Sequence, residues 1–463
     1  MLSNLLVSDI LNEALRTGGD FAELFLEDKR STSIRMLNGV VDDSMSGRDF
    51  GIGIRLLRGH QAVYGYTNDI RPDRLRQTAR NVAEALDFSD PTQPVEFVPT
   101  VLESQHPVEL DPALAAIKEK VAEMRRAHEA ADSFHGLVSQ VIVRYLDGRQ
   151  SVLIANSEGL WVEDTRTHTR VAIQAVAAQN GEKQSGFVGP GRHMGLELFA
   201  KIDVAEYARE AARMAVTMVQ APYAPSGRFP VVIANGFGGV IFHEACGHSL
   251  EATSVAKGTS VFAGKLGEQI AAGLITAVDD GTLPNGWGSA NIDDEGIRTQ
   301  RNVLIKDGVL QGYMVDRLNG RRMGMEPTGS GRRQSYRFAP TSRMTNTFIC
   351  SGASTPESII GSTEQGIYAK HLGGGSVNPA TGEFNFAVTE GYMIEGGRVT
   401  TPIRGATLIG RGAEVLRAVD MVGNDCELGQ GMCGSVSGSI PADVGQPTIR
   451  VKELTVGGRK EAE

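Results

Sequence analysis

The stretch Ala221-Pro222-Tyr223-Ala224-Pro225-Ser226-Gly227 does most to limit how this chain folds. Two prolines, a serine and a glycine interrupt both the helical and the strand period there. The chain has 463 residues, too many for one hydrophobic core. The break divides it into two expected domains, residues 1–220 and 228–463.

Upstream of the break, helices and strands alternate in two groups. An amphipathic helix over residues 3–17 ends at Gly18-Gly19, a strand runs from Phe21 to Met36, and Asn38-Gly39 is a hairpin turn. Strands over 51–56 and 61–66 flank Arg58-Gly59. A helix over 72–86 has Pro72 in its first turn and Leu75, Ala79, Val82 and Leu86 on one face. Residues 89–111 form a connector. The second group has a helix over 112–131, strands over 137–146, 151–155 and 160–178, turns at Asp147-Gly148 and Glu158-Gly159, and a helix over 195–220.

Downstream, one strand and one helix come first, and residues 254–300 read as glycine-rich and irregular. The remainder is mostly strand, with a hairpin at Asp307-Gly308, strands over 384–388, 391–394, 448–451 and 454–456, and a short helix within 405–420. The 56 glycines fit such a turn-rich architecture. The expected fold class is α+β: an N-terminal α+β domain built from two related halves, then a mainly-β C-terminal domain carrying the candidate metal site.

The net charge of −9 argues against a nucleic-acid surface. No basic segment precedes an apolar core at the N-terminus, and no apolar run is long enough to cross a bilayer, so neither secretion nor a membrane is expected. The expected location is cytoplasmic, where four cysteines are thiols or metal ligands rather than disulfides.

The chemistry centres on Phe242-His243-Glu244-Ala245-Cys246-Gly247-His248, just after the apolar strand over 229–234. The whole chain has nine histidines, so two within six positions stand out. Neutral imidazoles suit zinc, and a neighbouring carboxylate can take a proton from the attacking water. The bland reading is that one histidine packs and the other is a surface residue. The spacing itself is a difficulty. Five steps of a regular helix rotate roughly 500°, which leaves His243 and His248 about 140° apart. Either a π-bulge near Gly247 absorbs the extra residue and turns both rings to one side, or the metal reading is wrong.

The third donor is open among Cys246, His371, Cys426, Cys433 and a carboxylate. Cys246 packs beside the histidines, and Cys350 reads as a buried small hydrophobe. Cys433, framed by glycines in Gly429-Gln430-Gly431-Met432-Cys433-Gly434, is a thiol available to a metal, with Cys426 the weaker choice. Asn235-Gly236-Phe237-Gly238-Gly239 lacks the spacing of a dinucleotide loop and reads as a tight strand-to-helix turn. Arg332, Arg333, Arg337 and Arg343 read as an ion-paired face, with one of them or Tyr336 as a candidate for holding an oxyanion or a peptide carboxylate.

His243-Glu244-x-x-x-His248, the late Gly-x-Cys433-Gly, Gly438-Ser439-Ile440-Pro441 and Gly445-Gln446-Pro447 together resemble the TldD/PmbA family of zinc metalloproteases. The block from Gly329 through Tyr336-Arg337 to Arg343-Met344-Thr345-Asn346-Thr347 and the closing Leu454-Thr455-Val456-Gly457-Gly458 extend the resemblance over nearly the whole chain. It implies a TldD-type catalytic subunit with His243, His248 and Cys433 as ligands of Zn2+ and Glu244 as the catalytic carboxylate. It also implies unfolded peptides or modified-peptide precursors as substrates. The implied assembly is a dimer, either a heterodimer with a PmbA/TldE-type subunit or a homodimer. Two other readings compete: a non-catalytic partner or peptide-binding subunit with structural zinc, and a metal-free hydrolase with Cys246 or Cys433 as nucleophile.

Overall fold

The side chain of Ser3 accepts a hydrogen bond from the Leu6 N–H and starts helix α1, Asn4–Leu15. In this computed structural model, which describes residues 2–86, 96–378 and 381–459, α1 is followed by strands β1 (Phe21–Leu37), β2 (Val40–Arg58) and β3 (Gln61–Thr67) and helix α2 (Pro72–Glu84). Short strand β4 (Val98–Thr100) leads to α3 (Ile117–Asp132), β5 (Val138–Asn156), β6 (Leu160–Gln179), β7 (Glu182–Val188), β8 (Gly191–Arg192), α4 (Leu198–Lys201) and α5 (Val204–Gln220). Part of the connector expected over 89–111 lies outside the described residues.

These strands form one sheet in the order β3-β2-β1-β5-β6, with β7 beyond β6. The central pair is antiparallel from Glu23 opposite Asn156 to Leu37 opposite Ile142. Read outward from that pair, α1-β1-β2-β3-α2 and α3-β5-β6-β7-α5 repeat one pattern. Alternating side chains serve both units. Leu24, Ile52, Ile54 and Leu56 pack with α1 and α2, whereas Ile34, Met36, Val143 and Ile173 pack with α3 and α5.

Three expectations in this half are corrected. No turn forms at Asp147-Gly148, because β5 runs unbroken through it. The buried Asp147 carboxylate is bound by Lys120 Nζ and by Tyr145 Oη at 2.8 Å, which holds this dipeptide in the strand. The helix expected over 195–220 is two helices, broken where Ile202 is extended and Asp203 caps α5 through the Ala205 N–H at 3.0 Å. The helix expected from 112 begins at Ile117.

In the second half, β9 (Gly227–Ile233) belongs to a closed five-strand ring. Its neighbours are Gln365–Asn378 and Ile449–Gly457, and the ring continues through Thr407–Arg411 and Glu383–Glu395, which pairs back to Gln365–Asn378. Ile233, Ile367, Phe386, Leu408 and Val451 are fully buried in its core. A second sheet has the order Val309–Leu310, Arg301–Lys306, Ala277–Asp280, Asn346–Ile349, Gly438–Gln446, Glu427–Ser435, so the last strand lies at an edge. The stretch 254–300 is thus not wholly irregular, since it supplies Ala277–Asp280. The short helix within 405–420 is Gly412–Ala418.

The two halves meet through buried charge. Arg55 pairs with Glu23 and Glu295 at 2.7 Å each, Arg333 with Glu23, and Arg166 with Asp294. Glycine makes room for this contact, because a Cβ on Gly51 would lie 2.2 Å from the Tyr336 ring. Among the described residues no helix is long and apolar enough to cross a membrane.

Candidate metal centre

The candidate site begins where β9 ends. Gly236 takes a positive φ of 68°, which turns the chain out of the strand. The Asn235 side chain donates to the Asp425 carbonyl at 2.9 Å and fixes the turn. Gly239 then packs on the backbone of Gly445, where a Cβ would come within 2.4 Å. These glycines therefore serve close backbone packing, in keeping with a strand-to-helix turn rather than a dinucleotide loop.

The following helix changes pitch. Val240–Phe242 is α-helical, His243–Gly247 is a single π-turn, and His248–Leu250 is a 3₁₀ turn. The His248 N–H donates to the His243 carbonyl, an i to i+5 bond. This is the bulge the spacing calls for, and it brings the two imidazoles to 5.2 Å between ring centroids. The role of Gly247 differs from the expectation. Its φ and ψ of −53° and −54° are ordinary for a helix, but a Cβ there would lie 2.4 Å from Met344 Sδ. Glycine is needed for space, not for backbone freedom.

Cys433 arrives from the other side of the fold. It is buried in the edge strand Glu427–Ser435, paired with Ile440 across the hairpin, and not in an open loop as its flanking glycines imply. Its Sγ lies 3.3 Å from His243 Nε2 and 3.4 Å from His248 Nε2. All three donor atoms fall within 4.8 Å of one another. Tetrahedral ligation with Zn–S near ~2.3 Å and Zn–N near ~2.0 Å puts sulfur and nitrogen about 3.5 Å apart, so the donor set fits zinc. Burial pushes the Cys433 thiol up, but the imidazoles of His243 and His248 outweigh it and hold the thiol down at about 4. A thiolate is the form that ligates a metal.

Three residues support this group. His248 Nδ1 lies 3.2 Å from Glu251 Oε2, which orients the ring. Burial opposes charge on His248, yet Glu251 and Cys433 raise its imidazole well above the usual range. Arg343, fully buried, donates to Ser437 Oγ and the Gly438 carbonyl at 2.9 Å each and to the Cys433 carbonyl, so it clamps the hairpin tip. Gln334 holds the same tip by accepting the Ser439 N–H at 2.8 Å. Glu251 and Arg343 are the supporting neighbours of this group that motif reasoning misses. Glu251 had a faint signal, being three residues after His248 and so one turn along. Arg343 was visible only as one of four arginines.

Glu244 lies beside the group with Oε2 3.8 Å from His248 Nε2, partly exposed. It lines a cavity of about 180 Å³ with His243, Cys433, Gly374, Gly375 and Phe386. The other candidates go elsewhere. Cys246 is fully buried in the apolar core. Cys426 donates to the Ile349 carbonyl at 3.4 Å, and Cys350 sits by Arg301. His371 joins Glu210 and Glu390, where Arg213 and Lys370 already neutralise the carboxylates. Of the expected arginine face, Arg337 pairs with Asp49 at the surface, and Arg333 is in the buried network between the halves.

A chain with this two-part fold and a paired-histidine helix facing a cysteine strand matches one family along its length. Residues 22–86, 111–219 and 226–458 match domain 1, the central domain and the C-terminal domain of the PmbA/TldA metallopeptidases. The chain belongs to that family. It is 38% identical to the metalloprotease TldD homolog of Haemophilus influenzae, over 95% of this chain and 93% of the relative. It is 33% identical to a metalloprotease of Methanothermobacter thermautotrophicus, over 95% of this chain and 96% of the relative. The fold is shared with crystal structures of TldE from Thermococcus kodakarensis (TM-score 0.79, 19% identity, 98% of this chain and 100% of that one) and of a Thermotoga maritima protein described as a modulator of a DNA gyrase (TM-score 0.81, 22% identity, 98% and 99%).

Proposed function

We propose that this chain is a zinc-dependent metallopeptidase that hydrolyses unfolded peptides or modified-peptide precursors, with Glu244 as general base. The observation that carries the reading is the meeting of His243 Nε2, His248 Nε2 and Cys433 Sγ beside a carboxylate that faces a cavity. His243, His248 and Cys433 would hold the ion, which supplies Lewis-acid polarisation of the scissile carbonyl and a lowered pKa for water. Glu244 accepts the proton of the attacking water and returns it to the leaving amine. Glu251 keeps the His248 ring oriented through Nδ1. Arg343 holds the Cys433 hairpin in place. The edge position of Glu427–Ser435 favours a substrate lying extended along it, since main-chain hydrogen bonds accept many sequences. The assembly we infer is a dimer, with a PmbA/TldE-type subunit or with a second copy, in the cytoplasm.

The test is metal analysis of the purified protein together with cleavage of an unstructured peptide by wild type and Glu244→Gln, with and without a TldE-type partner. Zinc in both and hydrolysis only in wild type supports the reading. Zinc in both and no hydrolysis by either, with the partner present, favours a non-catalytic subunit. Full activity after stringent chelation overturns the metal reading and favours a cysteine nucleophile.

A further inference from the structure

The N-terminal sheet turns one face toward the C-terminal half and roofs a cavity of about 540 Å³ there. Strand alternation selects what that face presents. From β5 come Arg144, Leu146, Gly148 and Gln150, from β6 Arg166, His168 and Arg170, and from β1 Lys29, which stands opposite Gln150. Trp287, Arg332 and Met432 close the space from the other half.

Cations outnumber carboxylates in this lining, six against Asp147, Asp293 and Asp294. Arg332 donates to the Met344 carbonyl, and Arg170 donates to the carbonyls of Gly189 at 3.0 Å and Gln430 at 3.2 Å while lying over the Trp287 ring. Neither forms an ion pair among the described residues, although Asp294 and Asp279 lie near enough to act on Arg332 and Asp443 on Arg170, and Lys29 and Arg144 likewise form none. The carboxylates that line the space are already engaged. Asp147 is bound by Lys120, Asp294 by Arg166 and the Arg333 N–H, and Asp293 by the N–H groups of Glu295, Ile297 and Gly331. Four cations that form no ion pair among the described residues thus border one cavity in a chain of net charge −9. Large apolar side chains stand among them, with Phe187 55%, Met432 53% and Leu146 40% exposed.

The cavity and the candidate metal centre share one bordering residue. Met432 and Cys433 are neighbours on the edge strand, so their side chains point to opposite faces. Met432 lines both the large cavity and the small one at Glu244. A peptide lying along this edge strand, as proposed above, would pass Met432, which borders both spaces.

We infer that the cavity between β1, β5, β6 and Trp287 is a subsite for a carboxylate of the peptide substrate, held by Lys29, Arg144, Arg170 and Arg332 beside apolar contacts. The carboxylate is either the free C-terminus or an acidic side chain. This rests on the peptidase reading above only in taking the ligand to be a peptide.

The experiment is isothermal titration calorimetry on the zinc-loaded Glu244→Gln protein, using N-acetylated unstructured decapeptides without basic residues. One has a free C-terminus and no acidic side chain, a second is its C-terminal amide, and a third is the amide with one internal glutamate. The free-acid peptide is expected to bind at least about tenfold more tightly than its amide, the scale of a charge-assisted contact. Recovery by the third peptide assigns the contact to side chains as well, and no recovery assigns it to the C-terminus. The preference should fall below about twofold in Lys29→Gln/Arg144→Gln and, separately, in Arg332→Gln, while the amide binds both as it binds the parent. The pair of half-buried Lys29 and exposed Arg144 keeps the test usable if Arg332→Gln does not fold. Equal binding of all three peptides overturns the inference, as does an unchanged preference in the pair variant. Cleavage by wild type is measured in parallel. Hydrolysis without carboxylate preference removes the subsite and leaves the peptidase reading, and preference without hydrolysis does the reverse.

Discussion

At the scale of single residues, Cys433 and Glu244 have separable duties. Cys433→Ala removes the one anionic donor of the group, and the protein is expected to lose most of its bound zinc, measured as metal per chain after dialysis. Glu244→Gln should keep zinc at the wild-type stoichiometry and lower peptide hydrolysis by about 10²–10⁴-fold, the usual weight of a general base. Arg343→Lys tests the clamp. Lysine cannot reproduce a fork that reaches Ser437 Oγ, the Gly438 carbonyl and the Cys433 carbonyl together. Zinc affinity should drop about 10–100-fold in competition with a chelator, as for other outer supports of metal ligands. His243, Glu244, His248 and Cys433, which the fold brings together, could be singled out in the sequence because histidine, glutamate and a glycine-framed cysteine are the residue types of metal chemistry. Arg343 and Glu251 could not, because their roles exist only once Cys433 is brought against His248 across the fold.

At the scale of elements, the site depends on a helix that is not regular. The i to i+5 bond between His248 and His243 was legible as a geometric need, since no undistorted helix turns both rings to one side. The reason for Gly247 was not, because Met344 approaches from a segment nearly a hundred residues downstream. Gly247→Ala should destabilise the protein by about 1–3 kcal/mol through overpacking. Gly247→Ala/Met344→Ala should recover much of the hydrolytic activity lost in the single variant, because the added methyl then has room. Activity equally low in the single and double variants would mean that the glycine acts through its backbone instead. Turn dipeptides served well where the chain really reverses, as at Asn38-Gly39, with Asn38 at φ 46° and Gly39 at φ 79°. They failed at Asp147-Gly148, where a buried ion pair to Lys120 overrides the local preference.

At the scale of the whole molecule, the candidate metal centre and the cationic cavity border the same edge strand, so their relation depends on how the two halves are held. Glu23 is the hub of that contact, pairing with Arg55 at 2.7 Å and with Arg333 while fully buried. Burial pushes its carboxyl up, but Arg55 and Arg333 reverse this and leave it below the usual carboxylate range. A lowered folded-state pKa stabilises the protein at neutral pH and ceases to do so as pH falls through that value. Glu23→Gln leaves Arg333 buried without its carboxylate, which costs about 3–5 kcal/mol in comparable buried pairs. A chain with several cores need not unfold in one step, so the measurement is hydrogen exchange rather than a single melting point. Faster exchange is expected in peptides from β1 and from the segment around Arg333, with β9 and the five-strand ring unchanged. Glu23→Met/Arg333→Met removes both charges together and should exchange more slowly at this contact than Glu23→Gln does, because no unpaired ion is left behind. Additive losses in the double variant would show that the two side chains act independently and that the halves are held by the surrounding apolar contacts of Phe25, Ile154 and Tyr336.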